Sequence, residues 1–219
     1  MKVAIFDFDG TLYAEETFKL LMNHLKEHPI YHTKYNRFYR AITPLYIAYK
    51  IKLYPQSKMK EKSMQLYLNA FEGFSTAQMD AYFEEFKEKI KSGINQEVIK
   101  RLYQHQKENI HILLVSGAYT QFLHRVTDGI SFDHIIGSNI TFKNDKIDIN
   151  TPILHINGTR KTEHILNILK DIDVDWENSY AYGDSFSDLP VLELVGHPVA
   201  VKPEEKLRSV ATERGWEII

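Results

Sequence analysis

Cysteine does not occur in the 219 residues, which excludes a disulfide framework, a thiolate metal site and a cysteine nucleophile. Long apolar runs are also missing, so no segment reads as a bilayer span. The opening Met1-Lys2-Val3-Ala4-Ile5-Phe6 meets the acidic Asp7 too soon to act as a secretory signal. Nor is there an excess of charge of one sign. Lys+Arg number 27 against 29 Asp+Glu, a formal net charge of -2, which argues against bulk nucleic-acid binding. Internal repeats and low-complexity tracts are absent. What is there, 43% hydrophobic residues, is enough for a sizeable core at the boundary between one domain and two. These features predict a soluble, cytoplasmic protein.

Three short apolar runs end in polar residues. Val3 to Phe6 leads into Asp7-Phe8-Asp9-Gly10-Thr11, Ile110 to Val115 into Ser116-Gly117, and Tyr180 to Tyr182 into Gly183-Asp184. Their β-branched and aromatic content predicts buried parallel strands. Helices are predicted over Thr120 to Thr127, Thr162 to Leu169 and Leu189 to Leu194, where Pro190 suits a first turn. A further strand is expected at Val199 to Val201 and a helix at Lys206 to Arg214. This is the rhythm of an open α/β sheet, whose ligands bind at the carboxyl ends of the strands, where all three polar clusters fall. Between the first two strands lies an insert, roughly Tyr13 to Ile94, with helical spacing in Phe18-Leu21-Met22-Leu25 and Met64-Tyr67-Leu68-Phe71 and a charged helix over Ala81 to Ile90. Asn139 to Ile149 reads as a hairpin turning on Asn144-Asp145.

Asp7 and Asp9 follow the first strand one residue apart. A bare Asp-x-Asp serves equally well as a solvated strand end, but Gly10 and Thr11 supply a tight turn behind it. One carboxylate there can attack phosphorus and its neighbour can act as general acid and base. Two carboxylates so close repel, so a divalent cation is expected, and oxygen ligands favour Mg²⁺. Ser116 and Gly117 offer a hydroxyl and backbone N–H groups to a phosphate oxygen, though a serine there also reads as a helix N-cap. Lys161, an ordinary surface residue by default, would offset transition-state charge if its ammonium reached the same pocket. Asp184 and Asp188, four residues apart in Gly183-Asp184-Ser185-Phe186-Ser187-Asp188, either complete an oxygen-rich cation site or serve as a loop residue and a helix cap. The joint order of these elements at strand ends is what favours chemistry over coincidence. The ten histidines show no metal-ligand spacing and receive no catalytic role.

Asp7-Phe8-Asp9-Gly10-Thr11-Leu12, Val115-Ser116-Gly117, Lys161 and Tyr182-Gly183-Asp184-Ser185-Phe186-Ser187-Asp188-Leu189-Pro190 together resemble the four motifs of the haloacid dehalogenase superfamily. Gly196 to Pro203 adds to the likeness with its phosphoserine-phosphatase-like branch, subfamily IB. The resemblance implies a Rossmann-like parallel sheet core over residues 1–12 and 95–219, and a helical type 1 cap over 13–94. It implies a phosphatase acting on a small phosphorylated substrate through an aspartyl-phosphate. Asp7 would be the nucleophile and Asp9 the acid and base. Mg²⁺ would be held by Asp7, the backbone carbonyl of Asp9 and Asp184, with Asp188 a ligand or an orienting group. Ser116, Gly117 and Lys161 would hold the phosphoryl oxygens. A phosphotransferase or mutase is the alternative within enzymes, and a ligand- or membrane-binding protein that keeps the fold is the alternative outside them.

In phosphoserine phosphatases a glutamate at the start of the cap receives the amino group and a cap arginine the carboxylate. Glu16 is positioned to be that glutamate; no arginine in the middle of the insert matches the partner, and Lys60, the stand-in, lacks a bidentate fork. From Lys19 to Lys62 basic residues dominate, opposed only by Glu27 and Glu61, with tyrosines interleaved from Tyr31 to Tyr54. The plainer reading is a solvated helical face over the cap's own core. The sharper one is a surface for anionic partners, with Ile42 to Leu53 apolar and basic enough to lie on a membrane; such peripheral contact is a subordinate alternative, and nucleic acid is not an expected partner.

Overall fold

The computed structural model describes residues 1–219, apart from the side chains of Gln56 and Ser57. The strands β1 (Val3–Phe6), β2 (His111–Tyr119), β3 (His134–Ser138), β6 (Tyr180–Gly183), β7 (His197–Ala200) and β8 (Glu217–Ile218) form one sheet in the order β3-β2-β1-β6-β7-β8. Every neighbouring pair is parallel. Parallel strands between two layers are buried on both faces, and β1 shows this: all four of its residues are inaccessible or nearly so. The pleat divides them. Ala4 and Phe6 face one core with Leu114 and Tyr182, while Val3 and Ile5 face the other with Leu113, Val115 and Ala181.

The second core is closed by α8 (Thr159–Ile168), α9 (Leu189–Leu192) and α10 (Glu205–Glu213), through Ile165, Leu192 and Leu207 among others. The first is closed by α6 (Gln96–Lys107) and α7 (Thr120–Val126), and it runs on without a break into the helices inserted after β1. These are α1 (Thr17–Glu27), α2 (His32–Lys50), α3 (Gln56–Asn69), α4 (Thr76–Glu84) and α5 (Lys87–Ser92). Phe83 and Phe86 of the insertion pack on Phe122 of α7, at 5.4 and 5.6 Å between ring centroids. Tyr119 at the end of β2 donates to the Met64 carbonyl of α3 at 2.8 Å. The way in and the way out of the insertion form a neck: Ala14 N donates to Gly93 O at 3.0 Å and Asn95 N to Leu12 O at 2.9 Å. The hairpin of β4 (Phe142–Lys143) and β5 (Lys146–Ile147) turns on Asn144 and Asp145, both at positive φ, and pins the far side of the insertion. There Ile147 N donates to Phe74 O at 2.9 Å and Thr76 N to an Asp145 carboxylate oxygen at 3.2 Å.

The structure departs from the sequence reading in detail. The helix expected over Ala81 to Ile90 is two helices, α4 and α5, broken at Glu85–Phe86, where Phe86 turns inward between Tyr82, His24 and Phe122. Helix α8 begins at Thr159, launched by Gly158 at φ 56, so Lys161 sits in its first turn and not ahead of it. Ser116 and Gly117 lie inside β2, which continues to Tyr119. Strands β3 and β8 were not foreseen: β3 carries a histidine, a glycine and a serine among two isoleucines, and β8 has two residues.

Inside the insertion the Tyr67 and Tyr82 hydroxyls meet at 2.7 Å, and Tyr67 also donates to the Leu21 carbonyl at 3.2 Å. Removing the Tyr82 hydroxyl leaves Tyr67 satisfied; removing that of Tyr67 strands the buried Tyr82 hydroxyl. Tyr67→Phe is therefore expected to cost about 1–3 kcal/mol of unfolding free energy and Tyr82→Phe about 0.5–1.5 kcal/mol, measured by denaturant titration. The reverse ranking would contradict this assignment of donors.

Candidate active site

The strand order reverses at β1: β2 and β3 lie on one side and β6 to β8 on the other. The crevice beyond the carboxyl ends of β1 and β6 is the place where such sheets bind ligands. Asp7 follows β1 directly and Asp184 follows β6. Asp7 N donates to Tyr182 O at 3.0 Å, extending the ladder one residue past β1. Beyond it the chain coils tightly, with Tyr13 N bonded to Phe8 O at 2.8 Å. Gly10 stands at φ 77, and a Cβ there would lie 2.2 Å from a carboxylate oxygen of Asp184. Only glycine lets this loop approach so closely.

Lys161 reaches across from the first turn of α8. Its Nζ donates to Asp7 Oδ1 at 2.5 Å and to Asp188 Oδ1 at 2.6 Å, and all three side chains are buried. Burial works against the lysine's charge, but Asp188 and Asp7 outweigh it and hold its pKa above the usual lysine range. The second oxygen of Asp188 accepts from Ser185 N at 3.1 Å and Ser185 Oγ at 2.8 Å. Burial raises the Asp188 carboxyl, and Lys161 and Ser185 more than reverse it, so Asp188 is the ionised partner. Burial pushes Asp7 up to about 8, Lys161 opposing and Asp188 and Asp184 adding to it. Burial, with the charge of Asp188, pushes Asp184 up to about 7.

Oxygens of Asp7, Asp184 and Asp188 lie within 4.8 Å of one another. Three carboxylates against one ammonium leave the cluster short of positive charge. Among the described residues no hydrogen bond reaches Asp7 Oδ2 or Asp184 Oδ2, while both oxygens of Asp188 are taken. The donor set therefore fits a hard divalent cation held through Asp7 and Asp184, with Asp188 orienting Lys161.

Asp9 lies on the other side of the loop. Its oxygens accept from Thr17 N at 3.1 Å and Thr17 Oγ1 at 2.9 Å, so the carboxylate caps the first turn of α1. Burial, then the charges of Asp7 and Glu16, push its pKa up to about 7. A carboxyl at that value can give and take a proton near neutrality. Asp9, Thr17, Lys60 and Gly117 line a space of only about 10 Å³, room for one water. Ser116 is buried and its Oγ accepts from Ala118 N at 3.1 Å, within a register shift of β2 against β3 that bends this segment out of the ladder. Glu16 stands apart, exposed, with its nearest cation Lys60 at 3.6 Å.

The structure thus brings Asp7, Lys161, Asp184 and Asp188 into one cluster, puts Asp9 and Gly117 on an adjoining space, and leaves Glu16 at the rim. Sequence reasoning missed Thr17, Thr11 and His155. Thr11 Oγ1 donates to Asp184 Oδ1 at 3.3 Å. His155 is buried against Gly117, with Nε2 lacking a hydrogen-bond partner, and burial pushes its pKa down to about 4, so it is neutral. Thr17 had a signal, a hydroxyl opening a helix; His155 had none, because only the fold brings it to Gly117.

The family model for haloacid dehalogenase-like hydrolases matches residues 4–193. The chain is 27% identical over 158 residues to the inhibition of morphological differentiation protein of Streptomyces azureus, covering 71% of this chain and 57% of that protein. It is 44% identical over 66 residues to phosphoserine phosphatase SerB1 of Mycobacterium tuberculosis, 30% of this chain and 21% of that one. The chain thus spans less than two thirds of the length of either relative. A protein with unknown function from Bordetella pertussis Tohama I shares the fold, with a TM-score of 0.81 at 19% identity over 100% of this chain and 97% of that one. So does a phospho-aspartyl intermediate analogue of phosphoserine phosphatase, with a TM-score of 0.62 at 16% identity over 99% and 91%.

A cation bound at the carboxylate cluster stabilises the folded state. Mg²⁺ at a hundredfold excess over its Kd is expected to add about 2.7 kcal/mol, raising the thermal midpoint by roughly 5–10 °C. Asp184→Asn is expected to raise the metal-free midpoint, by relieving repulsion, and to lose the response to Mg²⁺. A midpoint in the unaltered protein that ignores Mg²⁺ would count against the site.

Proposed function

The chain belongs to the haloacid dehalogenase-like hydrolases, and from that premise we propose that it is a magnesium-dependent phosphomonoester hydrolase that works through an aspartyl-phosphate on Asp7. The observation that carries the proposal is the state of Asp7. It stands at the switch point of the sheet, one oxygen held by Lys161 and the other free of protein hydrogen bonds, with the proton-exchanging Asp9 two residues away.

The free oxygen of Asp7 attacks phosphorus while the bond from phosphorus to the alcohol oxygen breaks. Asp9 gives its proton to that oxygen and the alcohol departs. Water then attacks the phosphorus of the acyl phosphate, Asp9 takes the water's proton, and cleavage of the bond to Asp7 releases inorganic phosphate. Lys161 and the backbone around Ser116 and Gly117 hold phosphoryl oxygens as charge builds on them. Asp7 and Asp184, with the Asp9 carbonyl, would hold Mg²⁺, which would supply the positive charge that lets two anions approach.

Residues 13–94 serve in this proposal as the lid. The space beside Asp9 is too small for a phosphoryl group, so the lid opens to admit substrate and closes to exclude water from the reacting centre. Selectivity for phosphoserine is not supported. Arg37 is engaged by Glu72 at 2.5 Å and Arg40 by the Asn36 carbonyl at 3.2 Å, and the cation lining the space by Asp9 is Lys60.

Phosphate release from an aryl phosphate is expected to need Mg²⁺ and to fall about 10⁴-fold or more in Asp7→Asn. Full turnover in that variant would exclude the covalent route. Asp9→Asn is expected to slow alkyl phosphates by about 10²–10⁴-fold, because an alkoxide needs the proton. With an aryl phosphate the same variant should release one equivalent of phenol in a burst and then stall as phosphoenzyme, which rapid-quench sampling would detect.

A further inference from the structure

A groove of about 720 Å³ lies between α1, α2 and α3 of the insertion, far more than the phosphate ester of a small amino acid requires. One wall is a single face of α2: Tyr35, Phe38, Tyr39, Ile42, Tyr46 and Tyr49. These recur at helical spacing over fourteen positions, so the wall runs roughly 21 Å. Phe18 and Met22 of α1 and Met59 of α3 face it. The lining is predominantly apolar, and its charge is mostly basic: Lys19, Lys26 and Lys60, against Glu16 alone. Phe18 and Lys60 line both this groove and the space beside Asp9, so the two adjoin through a shared wall. The last turn of α2 and the segment that follows expose Ile47, Ile51 and Leu53, at 55%, 60% and 78% of their surface, among Lys50 and Lys52.

We propose that the substrate of this phosphohydrolase is a single-chain lipid phosphate: a phosphate monoester whose alcohol carries one long, unbranched apolar chain. The phosphate lies at Asp7, the lysines of the groove attract it, and the chain lies along α2. Length and shape choose this occupant. A wall of roughly 21 Å in a groove that adjoins the space beside Asp9 matches an extended apolar chain, whereas a sugar, an amino acid or one aromatic ring would leave most of it unfilled. The exposed isoleucines, Leu53 and lysines at the tip of α2 suit collection of such a molecule from an anionic membrane surface. This inference rests on the hydrolase reading above, and its test separates the two.

Initial rates are measured with ethyl, hexyl and decyl phosphate below their aggregation concentrations, with naphthyl phosphate as the aromatic comparison. kcat/KM is expected to rise about fourfold per added methylene until the groove is filled. Ile42→Glu and Tyr46→Glu are each expected to lower the decyl-to-ethyl ratio of kcat/KM tenfold or more while circular dichroism and the thermal midpoint report an intact fold. Binding of decyl against ethyl phosphate to Asp7→Asn, by calorimetric titration, reads the groove without chemistry. Turnover with a flat chain-length profile, naphthyl phosphate preferred to decyl, or a dimer that closes the groove to decyl phosphate would each overturn the proposal and leave the hydrolase standing. Chain-dependent binding with no turnover of any phosphate would overturn the hydrolase reading, and the substrate with it, and leave the groove as a binding site for such a molecule.

Discussion

Lys161 is the cation on which the rest of the site depends. Its ammonium lies buried between Asp7 and Asp188, 2.5 and 2.6 Å away. Burying an ion is costly unless its partners are close and their remaining hydrogen bonds are met. Ser185 meets those of Asp188, and Asp7 keeps an oxygen to spare. The lysine comes from α8, Asp7 from β1, Asp188 from the turn after β6, so one ion pair fixes the relation of three chain segments. It also restrains the Asp7 carboxylate, because Oδ1 is held by the ammonium.

The loop from Asp7 to Tyr13 joins that charge cluster to the insertion. Asp9 reaches forward to cap α1 through Thr17, and Gly10 lets the backbone pass beneath Asp184. In the proposed hydrolase the proton-exchanging group would therefore also anchor the first helix of the insertion, so that orientation of that helix and presentation of the Asp9 carboxyl are one structural fact.

Much of this was legible in the sequence. Val3 to Phe6, Tyr180 to Tyr182 and the run into Val115 are strands because continuous apolar residues bounded by glycine suit a sheet buried on both faces. Asp7 and Asp184 converge because parallel strands present their carboxyl ends together, and Lys161 reaches them from the first turn of α8. The hairpin on Asn144-Asp145 was readable from a turn that needs two positive-φ residues. What could not be read was contact made by packing. His134 to Ser138 carries too little apolar signal to announce a strand, and its place is set by pairing with β2. His155 meets Gly117 through tertiary structure alone. The break at Phe86 follows from a pocket made by Tyr82, His24 and Phe122, residues spread over a hundred positions. The groove along α2 was visible only as alternating tyrosines and lysines, whose side of the helix a sequence does not orient.

The apolar core that passes without interruption from the sheet into the insertion bears on how the molecule unfolds. A lid hung on a flexible tether would melt by itself, and calorimetry would record two events. Here Phe83 and Phe86 rest on Phe122, and Tyr119 is bonded to Met64, so the half of the insertion nearest the sheet shares its cohesion with the catalytic layer. A chain built this way gains and loses both parts in a single cooperative event. In the proposed hydrolase, any motion that admits substrate would therefore have to spare the stitched edge at the hairpin and the seat of Phe83 and Phe86 on Phe122.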